Sequence, residues 1–504
     1  MPTSHSTLAA VDLGSNSFRL QVARVEGDQL YPLDALREAV RLAAGLNGEK
    51  LLDETTQARA LDCLSRFGER LRGFAPEDVR AVGTNTFRVA KNAREFLKRA
   101  EAALGFPIEI VAGREEARLI YLGAVQSLPA IAAKRMVVDI GGGSTEFIIG
   151  SALKPQRLES LYMGCVSFSM RYFSDGKLSK ANMKQAEVAA RMELQTIVKS
   201  FSAGHWSEAV GSSGTARALG DLIQAHGWGD GNIDAEGLEK LKYLVMKHNH
   251  VDELANLPSL RQDRAGVLSG GLAIMSAIFS ELKVKRMVLA NGAMRQGILY
   301  DMLGRFHHHD MRDATVLQFM KRYHIDVRQA RRVEQMALDL LRQFSGDLHL
   351  DPDYPLHLLS WAAHLHELGL TVTHNGYHKH SAYVLSFADM PGFSKTEQAH
   401  LAVLVLAHRG NMEKMKGQIL DSLDLAMVMA LRLSVLFHRS RTDVVLPTLE
   451  AHCDGMHFRI GLTPTWLQEN PLTAVALKEE TKEWRKVGVT LDVESLDEFT
   501  GAMA

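Results

Sequence analysis

The chain has 504 residues, 46% of them hydrophobic and 23% charged, enough to bury several cores. Its 58 Lys and Arg balance 59 Asp and Glu, which excludes the large single-sign field of a dedicated nucleic-acid binder and predicts no nucleic-acid partner. Cys63, Cys165 and Cys453 form neither a metal spacing nor a disulfide framework, as expected in a reducing cytoplasm. No basic region followed by an apolar run opens the chain, and no stretch approaches the roughly 18–20 uninterrupted apolar residues of a bilayer span. Membrane contact is therefore expected to be peripheral at most.

In chain order, LAAV predicts a buried strand that runs into the loop DLGSNS, Asp12 to Ser17, and FRLQVARV predicts its returning partner. A helix is expected over Glu54–Phe74 and a strand over VRAVGT, then a helix over Glu95–Leu104, a strand in IEIVAG and a helix in REEARLIYLGAVQSL. The scheme then repeats. RMVV leads into DIGGGSTE, Asp139 to Glu146, and FIIG returns. A helix in AEVAARMELQTIVKSF, a strand in SEAVGSSGT and a strand in RMVLANGAMRQGIL complete this second unit. The pattern reads as a duplicated α/β core with its site between the halves.

Past Arg305 the pattern is mainly helical and holds most of the chain's histidines; MHFRIGLTPTWL and KVGVTLDV then alternate like strands. The expected segments are 1–130 and 131–305 for the two lobes, 306–440 for a helical domain and 441–504 for a small α+β domain.

The loops carry the chemistry. Gly14 permits a tight turn that lets consecutive amides converge on phosphate oxygens, Ser15, Asn16 and Ser17 add neutral donors, and Arg19 adds a charged fork. A structural turn between strands would look the same. Gly141, Gly142 and Gly143 cost backbone entropy and so imply a close approach; Ser144 and Thr145 add hydroxyls. Asp139 and Glu146 are hard oxygen ligands suited to magnesium. No lysine follows the glycines, so this is not a P-loop, and a strand follows rather than a helix, so it is not a dinucleotide fingerprint. Further donors stand at strand ends: Thr84, Asn85, Thr86 and Arg88 in GTNTFR, Gly214 and Thr215 in GSSGT, and NGAMRQG with Arg295 nearby. A hydrolase needs a base, and GREEARL offers Glu115 and Glu116, which point about 100° apart on a helix. The residues alone do not choose between them.

In the helical segment, WAAHLHELG followed by His374, His378, His380 and His408 partly matches a metal phosphohydrolase module, but its pair is His366–Glu367, and packing with a local cationic surface is the expected role. HHH at 307–309 reads as a solvated hinge.

As a set, DLGSNSFR, GTNTFR, GREEARLIYLG, DIGGGSTE, MGCVSF, GSSGT and NGAMRQGIL, with WAAHLHELG and GYHKHSAY, resemble the exopolyphosphatase and guanosine pentaphosphate phosphohydrolase family over nearly the whole chain. The resemblance implies an actin-like (ribonuclease H-like) duplicated core, an HD-like helical domain, and stepwise release of orthophosphate from inorganic polyphosphate with Mg2+ and stimulation by K+. It places catalysis on Glu116, the metal on Asp139 and Glu146, and phosphate on the two loops and Arg88. Many relatives have histidine where this chain has Arg19, a change that keeps the site cationic. A homodimer in the cytoplasm, at most peripheral at the inner membrane, is implied too. A long polymer is expected to continue over His378, Lys379, His380 and Arg409. The rival activities are hydrolysis of guanosine pentaphosphate, an actin-like ATPase, and a nucleotide sensor without turnover.

Overall fold

The structure is a computed structural model and describes residues 7–26, 29–129, 131, 133–306, 310–348, 353–416, 421–443, 446 and 448–496. The histidine run at 307–309 lies outside the described residues. The chain divides into two compact units, Met1–Asp310 and Met311–Ala504.

The first unit holds two sheets. One is built from β1 (Thr7–Leu13), β2 (Phe18–Glu26), β3 (Gln29–Glu38), β4 (Val79–Gly83) and β5 (Ile108–Ile110) in the order β3-β2-β1-β4-β5. Strand β2 is antiparallel to both β1 and β3, and β4 and β5 join in parallel. The other contains β6 (Arg135–Ile140), β7 (Thr145–Ser151), β8 (Lys154–Leu161), β9 (Glu208–Ser212), β10 (Ile233–Asp234) and β11 (Arg286–Leu289) in the order β10-β11-β9-β6-β7-β8. Strands β8-β7-β6-β9-β11 repeat the pairing of the first sheet, antiparallel then parallel, with β10 added at the edge. The duplication expected from the two loops is thus present as topology. Strand β6 is buried along its whole length, which is why Met136, Val137 and Val138 are apolar in succession without alternation.

Helices α1 (Glu54–Arg70), α2 (Asn85–Val89), α3 (Ala93–Leu104) and α4 (Gly113–Gln126) accompany the first sheet. Asp53 caps α1 by accepting from the Thr56 amide at 2.7 Å. Helices α5 (Cys165–Tyr172), α6 (Lys180–Leu194), α7 (Val198–Phe201), α8 (Ser213–Ala225), α9 (Ala235–Val245), α10 (Gln262–Leu282) and α11 (Met294–Phe306) accompany the second. The strand expected through RMVLANGAMRQGIL ends at Leu289, and α11 begins at Met294. Met294, Ile298 and Met302 recur at helical spacing and pack with Leu119, Tyr121 and Ala124 of α4 into a core that also takes residues from both sheets. The apolar run was right; its period was misread.

Helix α10 is long and apolar enough to cross a membrane by length and composition, yet 72% of that span is buried in the protein. Leu268, Leu272, Ile274 and Ile278 pack into the core of the second lobe, and the helix also buries Arg264.

The second unit contains α12 (Met311–Arg322), α13 (Val327–Leu348), α14 (Asp353–Leu365), α15 (Tyr377–Phe387), α16 (Lys395–Ala407), α17 (Ser422–Phe437), α18 (Pro464–Glu469) and α19 (Pro471–Arg485). Strands β12 (Leu449–Asp454), β13 (His457–Leu462) and β14 (Thr490–Ser495) form its sheet, a hairpin plus one parallel strand. One hydrophobic core joins helices and sheet: Phe344 of α13 meets Phe458 of β13 edge-on with ring centroids 5.1 Å apart.

Candidate active site

Strands β1 and β6, equivalent in the two lobes, deliver DLGSNS and DIGGGSTE to one cleft within the first unit. In the first loop the Ser15 and Asn16 carbonyls each accept a 2.9 Å hydrogen bond, from the amides of Ala43 and Arg41. In the second, the Gly141 and Gly142 carbonyls accept from Cys165 and Val166, the first amides of α5, at 2.8 and 2.9 Å. A trans peptide holds each C=O antiparallel to the following N–H. The amides of Asn16, Ser17, Gly142 and Gly143 are therefore turned away from those anchors, toward the cleft these residues line. The loops also touch. A Cβ on Gly142 would lie 3.0 Å from Ser15 Cβ and 3.1 Å from the Asn16 amide nitrogen, and one on Gly143 would lie 2.2 Å from Asn85 Nδ2 of α2, so side chains at either glycine would press on a neighbour.

Of the residues expected from sequence, Gly14, Ser15, Asn16, Ser17, Arg19, Thr84, Glu116, Asp139, Gly141, Gly142, Gly143, Ser144, Glu146, Gly214 and Arg295 line this cleft. Others stand behind it. Thr145 and Thr215 donate their hydroxyls to the Met163 and Ile140 carbonyls at 2.6 and 3.0 Å, which spends them on backbone. Asn85 backs Gly143, and Arg88 Nη1 donates to Glu116 Oε2 at 2.8 Å and to the Val111 carbonyl at 2.9 Å. The buried side-chain amide of Asn16, Ser17 Oγ and Asn85 Oδ1 find no hydrogen-bond partner among the described residues, which leaves them available to a bound ligand.

The two glutamates of GREEARL separate cleanly. Glu115 takes both Nε and Nη2 of Arg118 at 2.8 Å, and Arg118 and Arg80 each reach Asp301 of α11 at 2.6 Å, forming a buried ionic network. Glu116 lines the cleft and is held by Arg88.

Three groups, Asp12, Arg264 and Arg295, complete the cleft. Asp12 opens the first loop as Asp139 opens the second, and both line the cleft; the duplication itself was the available signal. Arg264 and Arg295 line it too. Arg295, expected beside the NGAMRQG turn, stands in the first turn of α11, whereas Arg264 is a single residue near the start of an apolar helix, with no local sequence pattern to mark it. Among the described residues, the side chains of Arg19, Arg264 and Arg295 have no hydrogen-bonded or ion-paired partner. Burial and the neighbouring Arg295 bring Arg19 down to about 10, still a cation at neutral pH.

The acids show the opposite strain. Burial pushes Asp12 up to about 6, with Arg19 and Arg295 pulling it back and Glu116 adding to the rise. Burial also pushes Asp139 up to about 6, eased by Ser212 and aggravated by Glu116 and Asp12. Glu146 is raised well above the usual carboxylate range by burial and by repulsion from Glu116 and Asp139. Among the described residues no three His, Cys, Asp or Glu side chains converge closely enough to cage an ion by themselves. Crowded hard-oxygen carboxylates beside space for phosphate nevertheless fit magnesium, which is commonly held by one or two carboxylates plus phosphate oxygens and water.

In the second unit, His366, His378 and His408 form a buried group, with His408 ring centroids 5.1 Å from His366 and 6.1 Å from His378. Burial drives His378 down to about 4, reinforced by Lys414, Lys379 and Arg409, so in the ligand-free protein it is neutral at neutral pH. Lys379, His380 and Arg409 are exposed, and the Arg409 guanidinium lies 5.1 Å from the centre of the Tyr377 ring. Glu367 pairs with Arg441 and takes no part in a metal cluster among the described residues.

Residues 21–306 match the model of the Ppx/GppA phosphatase family, and residues 311–481 that of Ppx/GppA phosphatase domain III. A guanosine-5'-triphosphate,3'-diphosphate pyrophosphatase of Pseudoalteromonas translucida is 36% identical over 491 residues, 96% of this chain and 98% of the relative. Two solved structures share the fold. An exopolyphosphatase from Cytophaga hutchinsonii aligns at 23% identity with a TM-score of 0.54, over 59% of this chain and 98% of its own. An Aquifex aeolicus Ppx/GppA family member aligns at 23% identity with a TM-score of 0.51, over 59% and 98%. The chain is an enzyme of the Ppx/GppA phosphatase family.

Proposed function

We propose that this enzyme is an exopolyphosphatase that removes the terminal phosphate of inorganic polyphosphate in successive steps. The observation that carries the reading is the presence of three cleft arginines, Arg19, Arg264 and Arg295, none hydrogen-bonded or ion-paired among the described residues, in the cleft that also holds Asp12, Glu116, Asp139 and Glu146. One terminal phosphate does not need three guanidinium forks; a chain of phosphoanhydrides does.

In the proposed reaction Glu116, oriented by Arg88, takes a proton from the attacking water. The water oxygen bonds to the terminal phosphorus while the bridging oxygen leaves with the shortened chain. Loop amides of Asn16, Ser17, Gly142 and Gly143 stabilise the equatorial oxygens, and the arginines hold the phosphates that follow. Asp139 and Glu146 would hold magnesium, which supplies charge neutralisation on the phosphoryl oxygens. K+ is the proposed activator. The duplicated lobes are read as actin-like and the helical part of the second unit as HD-like, and exposed Lys379, His380 and Arg409 are proposed to contact the distal chain. The enzyme is proposed to be a cytoplasmic homodimer.

A second reading is hydrolysis of guanosine pentaphosphate to release its terminal 5'-phosphate. The 36% identical relative is named for that nucleotide, and the same cleft would take its triphosphate end. Orthophosphate release from long-chain polyphosphate, guanosine pentaphosphate and ATP, each with Mg2+ and K+, decides between them. The highest kcat/KM is expected on polyphosphate. Activity confined to either nucleotide overturns the proposal.

A further inference from the structure

Ser160 lies on β8, outside both glycine loops, and its hydroxyl donates to Glu146 Oε1 at 2.8 Å. The other oxygen, Oε2, faces the second loop: a Cβ on Gly141 would lie 3.9 Å from it. Glu146 thus has Oε1 tied to the scaffold by Ser160 and Oε2 close to the second loop, whose Ser144 hydroxyl also hydrogen-bonds the carboxylate. Ser160 touches a second part of the machinery. Gly113, the first residue of α4, packs so closely on it that an added Cβ would lie 2.8 Å from both Ser160 Cβ and Oγ, and 3.9 Å from Arg88 Nη2. Three residues on, the same helix carries Glu116, itself held by Arg88. One small hydroxyl side chain is thus wedged between the carboxylate assigned to the metal and the first turn of the helix that carries the base.

We propose that Ser160 is a positioning residue that presents Glu146 Oε2 to the divalent cation and fixes its place relative to Glu116, a role that rests on the function proposed above. The geometry requires both partners: a glycine at 113 to admit the serine, and a hydroxyl at 160 to hold one carboxylate oxygen. Alanine at 160 removes the hydrogen bond without adding bulk, so the neighbouring backbone has no reason to move. Alanine at 113 keeps the hydroxyl and displaces it. Hydrogen-bond partners of metal ligands typically tune affinity by about 10–100-fold when removed.

The test compares wild type, Ser160→Ala and Gly113→Ala as full-length enzymes. Mn2+ binding is measured directly by electron paramagnetic resonance, and Mg2+ dependence by orthophosphate release from polyphosphate. The expected result for both variants is a roughly ten-fold weaker Mn2+ affinity and a matching rise in half-saturating Mg2+, with kcat at saturating Mg2+ falling no more than about three-fold. Unchanged Mn2+ affinity in folded Ser160→Ala overturns the assignment, as does a kcat loss that saturating Mg2+ does not restore. A fall in thermal midpoint with unchanged metal affinity assigns Ser160 to packing and likewise overturns it. The Mn2+ measurement needs no turnover, so failure of the polyphosphatase reading, seen as wild-type inactivity on polyphosphate, stays distinguishable from failure of this one.

Discussion

Glu115 and Glu116 are neighbours in the chain and belong to different structures: the first is locked to Arg118 in a buried network that includes Asp301, the second faces the cleft against Arg88. The roughly 100° between successive helical side chains explains how one dipeptide serves both. Their variants should fail in different ways. Glu116→Gln should keep the fold and polyphosphate binding and lose about 10²–10⁴-fold in kcat. Glu115→Ala leaves buried arginines short of a partner and should cost about 3–5 kcal/mol of stability. Thermal unfolding beside turnover of the folded fraction checks both, and near-normal kcat in folded Glu116→Gln would remove it as the base.

The arginines predict effects of opposite sign on stability and binding. Arg19 is lowered by burial first and by Arg295 second, so the two cations repel in the free enzyme. Arg295 is itself lowered, by burial first, with its attraction to Asp12 opposing, so replacing it with Gln should stabilise the ligand-free protein slightly while raising KM for polyphosphate about ten-fold, the loss of one charge-assisted contact. The salt dependence of KM should also become shallower, since one fewer cation meets the polymer. Calorimetry without substrate and KM across ionic strength measure the two signs independently; a destabilised variant with unaltered KM would remove Arg295 from the substrate site.

Much of this site was legible because the chain writes its plan twice. An aspartate at the end of a buried strand, a glycine turn and a returning strand recur, and β1–β2 and β6–β7 have the same antiparallel pairing. The choice between Glu115 and Glu116 was not legible from the residues themselves, because it depends on Arg118, Arg80 and Asp301 meeting from three elements. Thr145 and Thr215 looked like phosphate donors by residue type; only the fold shows which carbonyl each hydroxyl reaches. The α11 segment misled because a short apolar run after a strand has no visible period until Met294, Ile298 and Met302 are placed on one face.

Thr145 and Ser144 provide a sharper comparison, being adjacent members of one hydroxyl-rich loop. Thr145→Val removes a buried hydrogen bond to the Met163 carbonyl and should cost about 1–3 kcal/mol of stability with little change in kcat. Ser144 lines the cleft, so Ser144→Ala should lower kcat/KM instead. Steady-state kinetics at a temperature where both variants are fully folded separates them. Equal kinetic losses would mean that Thr145 also contacts substrate.

The carboxylates predict a response to metal alone. Asp139 and Glu146 are buried close to like charges, and a cation between them relieves that repulsion. Mg2+ without substrate should therefore raise the thermal midpoint, by RT ln(1 + [L]/Kd) for one site, or about 2.7 kcal/mol at a hundred-fold excess over Kd. Asp139→Asn should stabilise the metal-free protein and abolish most of the Mg2+ increment. A midpoint that Mg2+ leaves unmoved in wild type would place the metal in the substrate complex only.

His366 predicts a separate acid response in the second unit. Burial brings it down to about 4 from an ordinary value of 6.5, outweighing the opposing hydrogen bond to the Ala363 carbonyl, with nearby Arg441 and His364 lowering it further. His408 and His378 face the same buried space and are lowered too, while Glu367 lies 3.9 Å away, paired with Arg441. An unfolded chain takes up the proton near pH 6.5 and the folded chain only near 4, so between these values the unfolded state binds more protons. Stability is therefore full above pH 6.5 and falls as the pH drops toward 4, by roughly 3 kcal/mol from His366 alone. Hydrogen exchange across α14 and α16, normalised for intrinsic rates, should show protection falling between pH 7 and 5. The fall should be blunted in His366→Gln, whose side chain does not titrate; an equally steep fall in that variant would shift the acid response to other groups.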